Sequence, residues 1–67
     1  MILRIRDLRE DADLTQKEVA AYLHCDQSLY SKYERGERML PLDLAVELAK
    51  FYHVSLDYLV GLKKDRE

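Results

Sequence analysis

A chain of 67 residues that is 48% hydrophobic and 36% charged, with a net charge of −2, has material for one small core and none for a deep enclosed pocket. An enzyme is therefore not expected. The lone cysteine, Cys25, rules out an internal disulfide framework and points to a reducing cytoplasm. No apolar run approaches a membrane span, and Arg4, Arg6, Asp7 and Arg9 interrupt the start of the chain, so neither a spanning segment nor a signal peptide is expected.

Apolar residues recur at helical spacing along nearly the whole length, and no segment alternates with period two, so the expectation is an all-α fold. Ile2, Ile5 and Leu8 open a first helix over about residues 2–12. Thr15-Gln16-Lys17-Glu18 reads as a capping box, in which the Thr15 hydroxyl accepts from the Glu18 amide and the Glu18 carboxylate accepts from the Thr15 amide. A second helix follows to about residue 23, with Val19, Ala20 and Leu23 on its apolar side. After the connection His24-Cys25-Asp26, Asp26 is the expected N-cap of a third helix over about residues 27–34. Tyr30 and Tyr33 form its buried side, leaving Gln27, Ser28, Ser31 and Lys32 on the other. Gly36 supplies the left-handed stop. Pro41 suits the first turn of a fourth helix, whose buried side runs through Leu44, Ala45, Leu48, Ala49 and Tyr52. Ser55 caps a fifth helix carrying Leu56, Leu59 and Val60, and Gly61 ends it. Residues 1–67 read as a single domain with a frayed tail over about 63–67.

Two short helices joined by three or four residues, the second apolar on one side and polar at its start, have the geometry of a helix-turn-helix. In that unit the first helix crosses the DNA backbone and the second aims the side chains of its first turns at base edges in the major groove. The chain resembles the Cro/cI-like, or XRE-type, helix-turn-helix regulators in four segments. These are Ile5-Arg6-Asp7-Leu8-Arg9-Glu10, Leu14-Thr15-Gln16-Lys17-Glu18-Val19-Ala20, the run from Gln27 to Arg38, and Val54-Ser55-Leu56-Asp57-Tyr58-Leu59. Each is weak alone; their order and spacing over about residues 2–61 make the likeness specific.

The resemblance implies a five-helix, lambda-repressor-like DNA-binding domain acting as a transcriptional regulator, most simply a repressor. It assigns base contacts to Gln27, Ser28 and Lys32, with Ser31 on a base or a phosphate, and phosphate contacts to Gln16. Arg35 and Arg38, in the stretch leaving the third helix, are further candidates for phosphates, and Arg9 with Glu34 matches a buried structural ion pair. The implied partner is duplex DNA carrying a palindromic operator, read by a homodimer in the cytoplasm, with no cofactor. The fifth helix, through Leu56, Tyr58, Leu59 and Leu62, is the candidate dimer surface, or else part of the monomer core. His24 stands where the family often has glycine, so a left-handed turn there does not follow from sequence. Leu29 either meets a thymine methyl or packs.

The acidic total counts against nucleic acid, whose partners are usually basic. From Gln27 to Arg38, however, three cations face two anions, and pairing Glu34 with Arg9 leaves that surface mildly basic. The alternative is a protein-interaction or antitoxin-type module on the same fold with weak or no DNA binding. His24, Cys25 and His53 do not have the ligand number or spacing of a structural zinc site, so no metal is expected.

Overall fold

The computed structural model describes residues 4–62. Among them are five α-helices and no strand: α1 Ile5–Asp11, α2 Gln16–Tyr22, α3 Gln27–Arg35, α4 Leu42–Tyr52 and α5 Leu56–Leu59. The expected start of α1 at residue 2 and the expected frayed tail over 63–67 lie outside the described residues.

The core forms where the apolar stripes of all five helices meet. Ile5 of α1, Val19 of α2, Tyr30 of α3, Leu48 of α4 and Leu59 of α5 are each fully buried. The apolar area removed from water at these positions holds together helices too short to persist alone. The Arg4 amide donates to the Leu59 carbonyl at 2.9 Å, and the Arg4 guanidinium lies 4.7 Å from the centre of the Tyr58 ring, which ties the approach to α1 onto α5. Tyr22 stacks on Phe51 with ring centres 4.3 Å apart, joining the outer edge of α2 to α4.

The capping box at α2 is complete: Glu18 N donates to Thr15 Oγ1 at 3.1 Å and Thr15 N donates to Glu18 Oε1 at 2.9 Å. Ser55 caps α5 in the same sense, accepting from the Tyr58 amide at 3.1 Å. Two expectations are corrected. Asp26 occupies the N-cap position of α3 but its side chain makes no capping bond; it is exposed, so water can serve the first-turn amides, and only its carbonyl joins the helix, accepting from Tyr30 N at 2.9 Å. Pro41 stands before the first turn of α4, not within it, because its ψ of 146° is extended although its φ of −61° would suit a helix.

All five helices end alike. Within two residues of each end comes a left-handed residue (Asp13, His24, Gly36, His53, Gly61), and the amide after it bonds the carbonyl five residues back. Only two of the five are glycine, and His24, with φ of 58°, is left-handed despite its side chain. At α1, α2 and α4 the residue after the turn is Leu14, Cys25 and Val54, each packed against the core. That burial and the returned hydrogen bonds offset the strain of a non-glycine residue in this region.

Candidate nucleic-acid interface

α2 and α3 pack against each other through the four-residue connection 23–26. The turn depends on left-handed His24, whose amide donates to Ala21 O at 3.2 Å while the Cys25 amide donates to Ala20 O at 3.0 Å. Buried Ala20 is small enough to let the neighbouring helix come close. On α3, Tyr30 and Tyr33 are buried at 0% and 5% exposure, and half-buried Leu29 packs against the core, so of its two readings the packing one describes this chain. With that side pinned, Gln27 and Ser28 stand exposed on the first turn.

Between α1, α2 and α3 runs a shallow polar cleft. One part, of about 340 Å³, is lined by Arg6, Arg9, Gln16, Ser31, Glu34 and Arg35. It continues into a part lined by Gln16, Gln27, Ser28, Ser31 and Arg35. The fold thus brings Gln16, Gln27, Ser28, Ser31 and Arg35 to one face. It does not bring Lys32 or Arg38 there. Lys32 is half-buried outside the cleft lining, and Arg38 is exposed beside a separate apolar groove formed with Met39, Leu40, Pro41 and Leu42. Arg6 is a cleft residue that sequence reasoning passed over. Its position three before Arg9, on the same face of α1, was the available signal.

Beneath the cleft lies a carboxylate hub. Glu34, its side chain only 3% exposed, accepts from Arg9 Nε at 2.7 Å and Arg9 Nη2 at 3.2 Å, a two-pronged pair, and from Gln16 Nε2 at 3.0 Å. Arg9 also donates to the Leu14 carbonyl at 2.9 Å. Burial by itself would push the Glu34 carboxyl up; the hydrogen bonds of Arg9, Tyr30 and Gln16, with the charge of Arg9, outweigh it and hold the group below the ordinary carboxylate value. The buried Tyr52 hydroxyl has no hydrogen-bond partner, whereas the buried Tyr30 hydroxyl lies against the Glu34 carboxylate. Burial is the largest cause raising both; for Tyr30 the hydrogen bond and charge of Glu34 follow, and for Tyr52, raised to about 12, the Glu34 charge, so both remain neutral at physiological pH. Gln16 therefore has one amide hydrogen engaged inside the protein while its backbone stands at the start of α2.

At the end of α3, Arg35 donates to Ser31 Oγ at 2.8 Å and to Glu37 Oε2 at 2.5 Å. Arg6 pairs more loosely with Glu10 at 3.5 Å, with both side chains more than half exposed.

A helix-turn-helix family model matches residues 5–59, from the first residue of α1 to the last of α5. The chain belongs to the XRE-type helix-turn-helix family. It is 40% identical over 62 residues to an uncharacterized HTH-type transcriptional regulator, YobD, of Bacillus subtilis strain 168, a match covering 92% of this chain and 55% of the relative. It is 42% identical over 58 residues to the cryptic phage CTXphi transcriptional repressor RstR of Vibrio cholerae, covering 87% and 52%. It is 40% identical over 58 residues to the regulator ImmR of Bacillus subtilis strain 168, covering 87% and 46%. The chain spans about half the length of these relatives. No solved structure gives a significant match. Family members of this kind are transcriptional regulators, and no helix among the described residues is long and apolar enough to cross a membrane.

Of the two readings of the fifth helix, Tyr58 and Leu59, at 8% and 0% exposure, follow the second and belong to the core of the monomer. Among the described residues the exposed large apolar side chains are Leu62, one of the fifth-helix candidates, and Met39 and Leu42, with Tyr22 at the edge of the α2–α4 contact.

Proposed function

We propose that this domain binds duplex DNA in a sequence-specific way and represses transcription, with the first turns of α3 in the major groove. The observation that carries the reading is the exposure of Gln27 and Ser28, side by side, on a helix whose opposite face is locked by Tyr30 and Tyr33. A carboxamide and a hydroxyl held on a rigid first turn can donate to and accept from base edges. Ser31 reads a base or a neighbouring phosphate, Lys32 reaches the groove from the flank, and Gln16, Arg35 and Arg38 hold phosphates. Arg9 and Glu34 fix the angle at which α1 and α3 meet and touch no DNA. The repressor name of the Vibrio cholerae relative supports repression.

One subunit offers few phosphate contacts, so useful affinity calls for two. We place two copies on a palindromic operator with half-sites about 34 Å apart, joined through the exposed apolar side chains of Met39 in the α3–α4 connection and Leu42 at the start of α4. The site of action is the cytoplasm, as the reduced lone Cys25 suggests. A second reading, a protein-binding module on the same fold, is favoured by the apolar groove beside Leu40 and Pro41 and by the net negative charge.

Selection of preferred sites from a random duplex pool, followed by anisotropy titration of the selected and a scrambled duplex, separates the two. Gln27→Ala and Ser28→Ala should each cost about 1–3 kcal/mol on the selected site and little on the scrambled one, with helicity unchanged. Equal losses on both duplexes would refute the base contacts, and no binding to either at low salt would favour the protein-binding module.

A further inference from the structure

Each arginine lining the cleft already faces a carboxylate: Arg6 faces Glu10, Arg9 faces Glu34 and Arg35 faces Glu37. The three pairs differ in kind. Arg9 with Glu34 is buried and structural. Arg6 with Glu10 is a loose pair on one helix. Arg35 with Glu37 is exposed, so it can exchange partners, yet it is short and supported by the Ser31 hydroxyl.

The backbone makes this third pair. Residues two apart on a helix do not face each other. Gly36, at φ of 75°, turns the chain back so that the Glu37 amide donates to Lys32 O at 2.9 Å, which anchors Glu37 beside the last turn of α3. At the equivalent place after α1, α2 and α4 the chain puts an apolar residue that packs inward. After α3 it puts a carboxylate, which turns to Arg35 and also feels the charge of Lys32.

A carboxylate and a phosphate engage a guanidinium through the same pair of N–H donors. We infer, on the basis of duplex binding by this face, that Glu37 occupies the position of a backbone phosphate at Arg35 and must be displaced before Arg35 can hold DNA. Glu37 thereby sets the affinity of the domain for any duplex without touching its base preference. The cation that would release a counterion on binding is compensated in advance, which lowers both non-specific affinity and its dependence on salt.

The test titrates a random-sequence duplex at several salt concentrations with the whole chain, its Glu37→Gln, Arg35→Gln and double variants, and Glu47→Gln on α4 as a control for net charge. Glu37→Gln should tighten binding on the order of ten-fold at low salt and steepen the slope of log K against log salt by about 0.9, the share of one phosphate. Glu47→Gln should do much less, and in the Arg35→Gln background the gain from Glu37→Gln should shrink to that of the control. A gain no larger than the control, or one of the same size without Arg35, overturns the role of Glu37 while leaving duplex binding intact. If the parent fails to bind but Glu37→Gln binds, the inference is supported in its strongest form. If no variant binds at the lowest salt, it falls together with the duplex-binding reading.

Discussion

Arg9→Met removes the charge from the hub under the cleft and keeps most of the side-chain volume. Glu34 would then be left with Gln16 and the neighbouring Tyr30 hydroxyl as neutral donors and no cation, on a side chain 3% exposed. Breaking one side of a buried ion pair costs about 3–5 kcal/mol, mostly because the remaining charge is stranded. Chains of this length have in total about 3–10 kcal/mol of stability, so the variant should sit at the edge of folding, with Tm lower by about 12 °C or more. The pH dependence identifies the cause. In the parent, Glu34 is held below its ordinary value; without Arg9, burial is the largest single influence left and moves it up from there. The variant's Glu34 therefore takes up its proton at a higher pH than the parent's, so the gap between parent and variant should narrow as pH falls from 7 through the variant's value. Urea melts across that range measure it, and Glu34→Gln added to Arg9→Met should recover part of the loss. A gap under about 1 kcal/mol at pH 7, or one that stays constant with pH, would refute the buried-charge account.

In the parent the sign is opposite: the depressed Glu34 contributes stability that is fully present above about pH 4.5 and lost as pH falls through the folded value, so acid melts should show a decline setting in below that point. His53→Gly should raise stability by about 1 kcal/mol by relieving a left-handed histidine, read as a higher Tm by calorimetry; a fall would mean that the histidine side chain contributes more than its backbone costs. Leu59→Ala should cost about 2–5 kcal/mol at any protein concentration, because the residue is wholly buried within one chain. Leu42→Ser should leave domain stability within about 0.5 kcal/mol and weaken any self-association in sedimentation; the reverse pattern would return α5 to the dimer surface.

Much of the architecture was legible from local chemistry. The apolar period, the Thr15–Glu18 box, the Ser55 cap and the Gly36 and Gly61 stops each act within one or two turns, where sequence neighbours are spatial neighbours. The burial of Tyr30 and Tyr33, and so the exposure of Gln27 and Ser28, followed from the same period. Three matters were decided only when the helices came together. An apolar residue at helical spacing looks the same whether it closes its own core or awaits a partner, and only packing showed that Tyr58 and Leu59 do the former. The left-handed ends at Asp13, His24 and His53 carry no glycine signal; they exist because returned hydrogen bonds and the inward packing of Leu14, Cys25 and Val54 outweigh the backbone strain. The Arg9–Glu34 pair was implied by the family resemblance, but the place of Gln16 in that hub and the fold-back of Glu37 onto Arg35 depend on backbone geometry that spacing along the chain does not reveal. Charge is easily counted in a sequence, but its effect falls off over ångströms, so which cations a phosphate would find free is a tertiary property.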